Sequence, residues 1–248
     1  PEGLLTDPYA PIWASPLGPG IWKAPPPTPA PHFQPPNPAD WVIAEIHLED
    51  VLGMKAGSST GAHPSAYIHS GSAPEQLYEE GHGRQTEGVF KQVQKWLQEK
   101  GNWLTALGVN AAELQPVTEC ELPAPGEPPY QWGYMPVSFF APNTRYAAGR
   151  LGQGITDLQA LVHAFHQAGL AVILDVVYNH LGAPNALLHL DKSYYFRTTP
   201  EGQLFNHSGC GNDFRTESPL AQRLIIDSLL HWIKNYHIDG FRFDLAEL

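Results

Sequence analysis

Two charged side chains at the end of an apolar run have the spacing of a reactive pair. Arg242 and Asp244 stand two residues apart in IDGFRFDLA at 238–246. Side chains two apart on a β-strand leave the same face, so the guanidinium would lie beside the carboxylate and keep it ionised. A nucleophile for sugar chemistry has to be such an ionised and oriented carboxylate. A buried Arg–Asp pair that only joins two strands explains the same residues equally well.

A second polar group belongs to the run LAVILDVVY at 170–178, which is typical of a strand buried on both faces. Asp175 lies inside this run, and Asn179 and His180 follow it directly. The loops that follow the strands of a (β/α)8 barrel build its active site, so these residues are site candidates. A loop histidine in a capping role would account for His180 as well.

The segment YQWGYMPVSFFAPNTRYA at 130–147 is dense in aromatic residues at a loop position. The faces of Trp132 and Tyr134 could stack on pyranose rings, while their polar atoms bond sugar hydroxyls. The same aromatic residues, with Phe139 and Phe140, could instead plug the mouth of a barrel. Composition alone favours the plug.

The spacing of apolar residues predicts alternating strands and helices. In the helices, Thr156 is the expected N-cap, Pro219 the expected first residue, and Gly108 and Gly169 the expected stops. Apolar strands that alternate with amphipathic helices indicate an α/β fold with a parallel sheet. Because the long loops follow the strands, we expect a (β/α)8 TIM-barrel type of which the first four strand–helix units are present. The predicted strands are 41–48, 109–117, 170–178 and 238–246, and the predicted helices are 87–108, 154–169 and 216–237.

Two domain-level segments are expected. Residues 1–40, which include APPPTPAPHFQPPNPAD, form a Pro-rich linker or strap that precedes the barrel. Residues 41–248 form the partial catalytic domain, with a long Gly/Ser/His-rich insertion at 49–85.

Composition and charge exclude several partners. A formal net charge of −11 argues against nucleic acid and anionic membranes. Without an apolar run of about 18 residues or a basic, apolar leader, we expect no membrane span, no signal peptide and a cytoplasmic protein. Cys120 and Cys210 show no metal-ligand spacing, and neither do the histidines of 47–82, of which His47 is expected in the core. No metal and no cofactor are predicted.

Three blocks in this order resemble the α-amylase superfamily, glycoside hydrolase family 13. They are WGYMPVSFFAPNTRYA at 132–147, DVVYNH at 175–180 and DGFRFDLA at 239–246. DGFRFDLA together with FNHSGCGND at 205–213 is most similar to isoamylases and glycogen debranching enzymes, which cut α-1,6 branches. DPYA at 7–10 resembles the segment that precedes the barrel in such enzymes.

The resemblance implies a role for each matched residue. Asp244 would be the nucleophile of a retaining mechanism, Arg242 would hold and ionise it, and Asp175 would fix that arginine. His180 would bond sugar hydroxyls, and Tyr134 would stack on the sugar at the cleaved bond. Trp132 is a further expected substrate contact.

The resemblance also implies positions for two asparagines. Asn212 would border the substrate groove. Asn179 occupies a place where many amylases bind calcium, but debranching relatives often lack that ion, so none is expected. The implied partner is an α-glucan such as glycogen or starch.

The resemblance also implies two carboxylates that the sequence does not reach. In the family the proton donor is a Glu after the fifth strand, and an Asp after the seventh strand grips the sugar. Glu247 is too close along the chain to Asp244 to stand opposite it across a scissile bond. We therefore expect the chain as it stands to be inactive and to carry the nucleophile's half of a site, with a complementary C-terminal half as a partner.

Two other functions remain open at the level of sequence. A 1,4-α-glucan branching enzyme would share the nucleophile but transfer chains. A non-catalytic glucan-binding fragment would use the aromatic loop without turnover.

Overall fold

A computed structural model describes residues 33–53, 87–122, 132–147 and 152–247 of the chain. The DPYA segment, most of the predicted strap and most of the predicted insertion at 49–85 lie outside these described residues.

The centre of the fold is a parallel sheet in the order β1-β2-β3-β4. The pairing of β3 with β4 sets Asp175 beside Arg242. An α/β fold with a parallel sheet is therefore confirmed, whereas closure into a barrel stays a prediction. The strands are β1 (Ile43–Ile46), β2 (Ala111–Leu114), β3 (Ala171–Val177) and β4 (Gly240–Asp244).

Helices connect the strands in the alternating order that the sequence predicted. All residues of β3 are buried. Apolar side chains of two helices, such as Phe165 and Trp232, belong to the core on one face of the sheet, and Phe33 and Trp41 pack on the other. The helices are α1 (Leu48–Val51), α2 (Val89–Lys100), α3 (Asn102–Ala106), α4 (Gln153–Gln167), α5 (Ala186–Tyr195) and α6 (Pro219–Tyr236), and short 3-10 turns span Pro38–Asp40 and Thr144–Tyr146.

Two details of the helix predictions were wrong. The predicted helix at 87–108 is two helices that part at Gly101, where a Cβ would lie 2.6 Å from the Leu97 carbonyl oxygen. The N-cap of α4 is Gly152 rather than Thr156, whose hydroxyl instead donates to the Gln153 carbonyl inside the first turn. Pro219 does stand at the first position of α6.

Residues 33–41 pack against the other face of the sheet, near the amino ends of its strands. Phe33 and Trp41 lie against Ala111, Ala171 and Ile173. The Trp41 indole donates to the Pro36 carbonyl oxygen at 3.1 Å, which is a hydrogen bond within this segment. Within the described ranges, no helix is both long enough and apolar enough to cross a membrane.

Candidate active site at the carboxyl ends of the strands

One nitrogen of Arg242 joins two carboxylates at the carboxyl ends of β3 and β4. Its Nη1 donates to Asp175 Oδ1 at 3.0 Å and Oδ2 at 3.1 Å, and to Asp244 Oδ1 at 2.7 Å. The three residues meet because the strands are parallel and their register pairs residues 175 and 242. The side chain of Asp175 is 1% exposed, whereas those of Arg242 and Asp244 are 44% and 20% exposed. The carboxylate of Asp244 is therefore accessible to solvent, whereas that of Asp175, which binds the same arginine, is buried.

Tyr134 supplies a second donor to the buried carboxylate. Its hydroxyl donates to Asp175 Oδ2 at 2.6 Å. Burial raises the pKa of Asp175 above its ordinary value, while the hydrogen bonds from Tyr134 and Arg242 act in the opposite direction. The pKa of Tyr134 is raised by burial and by its bond to Asp175, and the hydrogen bond to Asp175 raises the pKa of Arg242. The phenol and the guanidinium therefore keep their protons as donors at neutral pH.

His180 ties the aromatic loop to the end of β3. Its Nε2 donates to the backbone oxygen of Tyr134 at 2.8 Å, and its Nδ1 faces Asn179 Oδ1. Burial lowers the pKa of His180, while its hydrogen bond to the Tyr134 backbone oxygen and the charges of Asp244 and Asp213 act in the opposite direction. Asn179 Nδ2 in turn donates to the backbone oxygen of Asp244 at 2.9 Å. This chain of contacts fixes the backbone on both sides of the carboxylates.

Five of the predicted site residues come together in this structure, namely Asp244, Arg242, Asp175, Tyr134 and His180. Trp132 begins the same loop and is 61% exposed, as a side chain that meets a ligand would be. Asn212 directs its amide Nδ2 to the Leu181 backbone oxygen at 3.0 Å, so this group holds backbone. The sugar contacts expected of Tyr134, His180, Trp132 and Asn212 stay predictions.

Sequence reasoning missed two contributions to the site. Asn179 was expected as a site candidate and at a calcium position, but not in the role that its amide has, which is to donate to the Asp244 backbone oxygen. Glu113 on β2 was not singled out, yet burial and the nearby charge of Asp175 raise its pKa. The available signal was its place as the one charged residue in the apolar run VNAAELQPV at 109–117, and the structure pairs it with Glu45 in the β1–β2 register.

The structure offers few groups that could bind a metal. In the described part of the chain, no three or more histidine, cysteine, aspartate or glutamate side chains are grouped so that they could hold an ion. The amide of Asn179 donates to the Asp244 backbone oxygen at 2.9 Å.

A parallel α/β sheet with charged residues at the carboxyl ends of its strands defines the class of α/β folds whose sites lie at that end of the sheet. No family model matches the chain. Among curated relatives, the chain is 32% identical over 222 residues to isoamylase 1, chloroplastic, of Oryza sativa subsp. japonica, covering 84% of this chain and 24% of the relative. It is 38% identical over 170 residues to the isoamylase of Pseudomonas amyloderamosa, covering 60% of this chain and 22% of that protein.

Solved structures give the same answer. A type I pullulanase from Bacillus subtilis str. 168, solved with maltose, superposes with a TM-score of 0.62 at 28% identity, covering 91% of this chain and 30% of that one. A pullulanase from Paenibacillus barengoltzii, solved with maltohexaose and α-cyclodextrin, gives 0.61 at 29% identity, covering 86% and 32%.

The chain is therefore a homologue of the debranching enzymes of the α-amylase superfamily, glycoside hydrolase family 13, which confirms the resemblance in its motifs. It spans about a quarter of the length of the two isoamylases.

Proposed function

We propose that this chain carries the nucleophile of a retaining glycoside hydrolase that cleaves α-1,6 branches in an α-glucan. The observation that carries the proposal is the contact of Arg242 Nη1 with both Asp244 and Asp175. It supports the proposal because a partly exposed carboxylate held by a guanidinium is oriented for attack. The isoamylase and pullulanase homologues supply the reaction class and the substrate class.

The proposed reaction begins at the free oxygen of Asp244. Arg242 binds Oδ1, so we assign Oδ2 to attack on the anomeric carbon of the branch-point sugar. The bond from that carbon to the α-1,6 oxygen breaks, and an ester forms between the sugar and Asp244. Water then displaces the carboxylate from the opposite face, and the configuration is retained overall.

The leaving oxygen needs a proton, and Asp175 is poorly suited to give it. Both of its oxygens already accept hydrogen bonds from Arg242, and Oδ2 accepts a further one from Tyr134. We therefore assign the general acid to a carboxyl group outside the described residues. A complementary half with further parallel strands would supply it, because β4 pairs only with β3 in the described sheet.

The proposed substrate lies across the aromatic loop. The exposed indole of Trp132 and the ring of Tyr134 suit the faces of glucose units, and aromatic faces of this kind stack on sugars. The maltose and maltohexaose present in the pullulanase structures support a linear α-glucan arm as the bound part.

The test is to trap the nucleophile with a mechanism-based maltosyl fluoride, followed by peptide mass mapping. Fluoride leaves without needing a proton, so the probe reports on Asp244 even where no general acid is supplied. We expect one maltosyl ester on the peptide that contains Asp244. Asp244→Asn should remove it, whereas the matched change Asp191→Asn on α5 should not.

Three outcomes would contradict this proposal. A label on another carboxylate would move the nucleophile. Absence of any label, with maltohexaose still bound, would favour the second candidate, a glucan-binding fragment, which the 61% exposure of Trp132 also supports. With the complementary half supplied, new α-1,6 links instead of released linear chains would favour a branching enzyme.

The cytoplasmic location also stays a proposal. The rice relative carries the word chloroplastic in its name, so homology does not decide the compartment.

A further inference from the structure

The chain leaves the site at His180 and returns to the same place at Asp213. The two residues face each other in an isolated antiparallel bridge. Phe214 N donates to the Asn179 backbone oxygen at 2.8 Å, on one side of this bridge. The 32 residues from 181 to 212, which include α5, are therefore closed at their base directly beside the candidate site.

The carboxylate of Asp213 is buried and accepts hydrogen bonds from one short loop. Oδ2 accepts from the backbone N–H of His207 at 2.5 Å, and Oδ1 accepts from the N–H and the hydroxyl of Ser208 at 3.2 and 2.6 Å. Burial alone would raise the pKa of Asp213, but these bonds outweigh it and hold the pKa below its ordinary value. Asp213 is therefore ionised at neutral pH, and its carboxylate holds His207 and Ser208 through these hydrogen bonds.

Residues 206–211, which we call the rim loop, are also bonded internally. Asn206 Oδ1 accepts from the Gly211 N–H at 2.6 Å. Gly209 and Gly211 both have φ of +78°, a conformation that side chains disfavour. At the tip of the loop, the thiol of Cys210 is exposed. The loop therefore has a defined shape, and the reactivity of the Cys210 thiol can report on whether the loop is covered.

We propose that Asp213 is a positioning residue of the candidate site. Its backbone braces His180, and its carboxylate holds the rim loop beside that imidazole as one wall of the groove for the glucan. The inference rests on the proposed function, since the groove matters only if a glucan binds there. It replaces the expected role of the Asn212 side chain, whose amide is engaged by the Leu181 backbone.

The first test uses Cys210 as a reporter in the chain of 248 residues. We expect maltohexaose to slow the reaction of Cys210 with a thiol reagent, with a midpoint equal to the Kd from calorimetry. Cys120 is buried and should contribute little to the signal. In Asp213→Asn, Kd should rise about tenfold, the factor for one charge-assisted hydrogen bond, and protection should be lost.

Two variants calibrate this result. Ser208→Ala removes one of the three donors and should raise Kd by about threefold. Asp191→Asn removes a carboxylate that only bonds its own turn, at Ser193 and Tyr194, and should change neither Kd nor protection.

The second test is an NMR titration of the His180 imidazole. The charge of Asp213 raises the pKa of His180, against the lowering by burial. If Asp213→Asn keeps the ring buried, the pKa of His180 moves further down. A variant that merely loosened the fold would let water reach the ring and move the pKa up toward its ordinary value.

The outcomes separate the two proposals. If the wild-type chain binds maltohexaose and Asp213→Asn leaves Kd and Cys210 protection unchanged, the positioning role is overturned and the glucan site stands. If the wild-type chain does not bind maltohexaose, the glucan site is overturned, and the direction of the His180 titration still decides whether Asp213 positions that ring.

Discussion

The two ends of the sheet each carry an acidic side chain paired with a basic one, yet their surroundings differ. At the amino end, Asp239 just before β4 accepts from the Val172 N–H and contacts His166 Nε2, both at 2.8 Å. The ring of Phe33 stacks on His166 with centroids 4.3 Å apart. At the carboxyl end, Arg242 holds Asp175 and Asp244 while remaining 44% exposed.

The difference shows how one sheet separates stability from chemistry. The pair at the amino end is covered, with the side chains of His166 and Asp239 only 3% and 10% exposed, so its hydrogen bonds serve the fold. The arrangement at the carboxyl end buries only Asp175 and leaves Asp244 accessible. This is the division that barrel-type folds use, with stability at the amino end and reactive groups at the carboxyl end.

Removing the guanidinium at the carboxyl end should have the largest effect. In Arg242→Gln we expect the rate of trapping by maltosyl fluoride to fall about a hundredfold to a thousandfold, because Asp244 loses the donor that orients it. Rapid-quench mass spectrometry measures that rate. Arg223→Gln, whose side chain on α6 is 59% exposed in its pair with Asp227, is the matched control and should not change it. An unchanged rate in Arg242→Gln would make the Arg–Asp contacts purely structural.

At the amino end the expected loss is in stability. Asp239→Asn should lower the free energy of unfolding by about 3 kcal/mol, since a buried partner of His166 is lost. Urea denaturation measures this, with Glu217→Gln as the control, since the Glu217 side chain is 54% exposed in its pair with Arg197. The trapping rate of the folded variant should equal that of the wild type. A slower rate would mean that the two ends are coupled.

Glu49 in α1 tests whether burial or position decides the role of a carboxylate. It follows β1 at the carboxyl end but is buried, and burial raises its pKa from 4.5 to about 7. The folded state therefore holds this proton more tightly than the unfolded state. Its contribution to stability is present below about pH 4.5 and is lost as pH rises through about 7.

Glu49→Gln should remove this pH dependence. Relative to wild type, the variant should gain roughly 2 kcal/mol of unfolding free energy between about pH 4.5 and pH 8. Urea denaturation across that range measures the gain, and the exposed Glu99→Gln on α2 should show none. If the difference in unfolding free energy between Glu49→Gln and wild type were the same at every pH, the pKa of Glu49 would not change on folding.

Tyr134→Phe should give the smallest effect. The ring stays, but the hydrogen bond to Asp175 is lost, so trapping should slow by about fivefold to tenfold. The same rate measurement applies, and Tyr194→Phe, whose hydroxyl bonds the Leu220 N–H, should leave trapping unchanged. A loss as large as that of Arg242→Gln would assign the phenol to the reaction itself.

The sequence predicted the elements whose signals are local. The apolar runs of β3 and β4 and the helical spacing of α4 and α6 led to correctly placed elements. Helix α5 was missed, because its leucines fall in a long loop region and its backbone is interrupted at Asp191. The break at Gly101 was also missed, since the apolar spacing runs through it.

The site was predictable only in part for the same reason. The spacing of Arg242 and Asp244 places both on one face of β4 without any further information. The bond from Tyr134 to Asp175 spans 41 residues, and no local pattern encodes it. The clamp of Asp213 on Ser208 depends on how a loop returns to His180, which a single sequence does not show.

A consequence follows from the fact that Arg242 Nη1 touches Asp175 and Asp244 at once. In the proposed reaction, ester formation would remove the negative charge of Asp244 and so weaken its bond to the guanidinium. Asp175, out of reach of the sugar, would act as a permanent tether. Arg242 would then keep its position during the covalent intermediate, and it would bind the Asp244 carboxylate again once water has hydrolysed the ester.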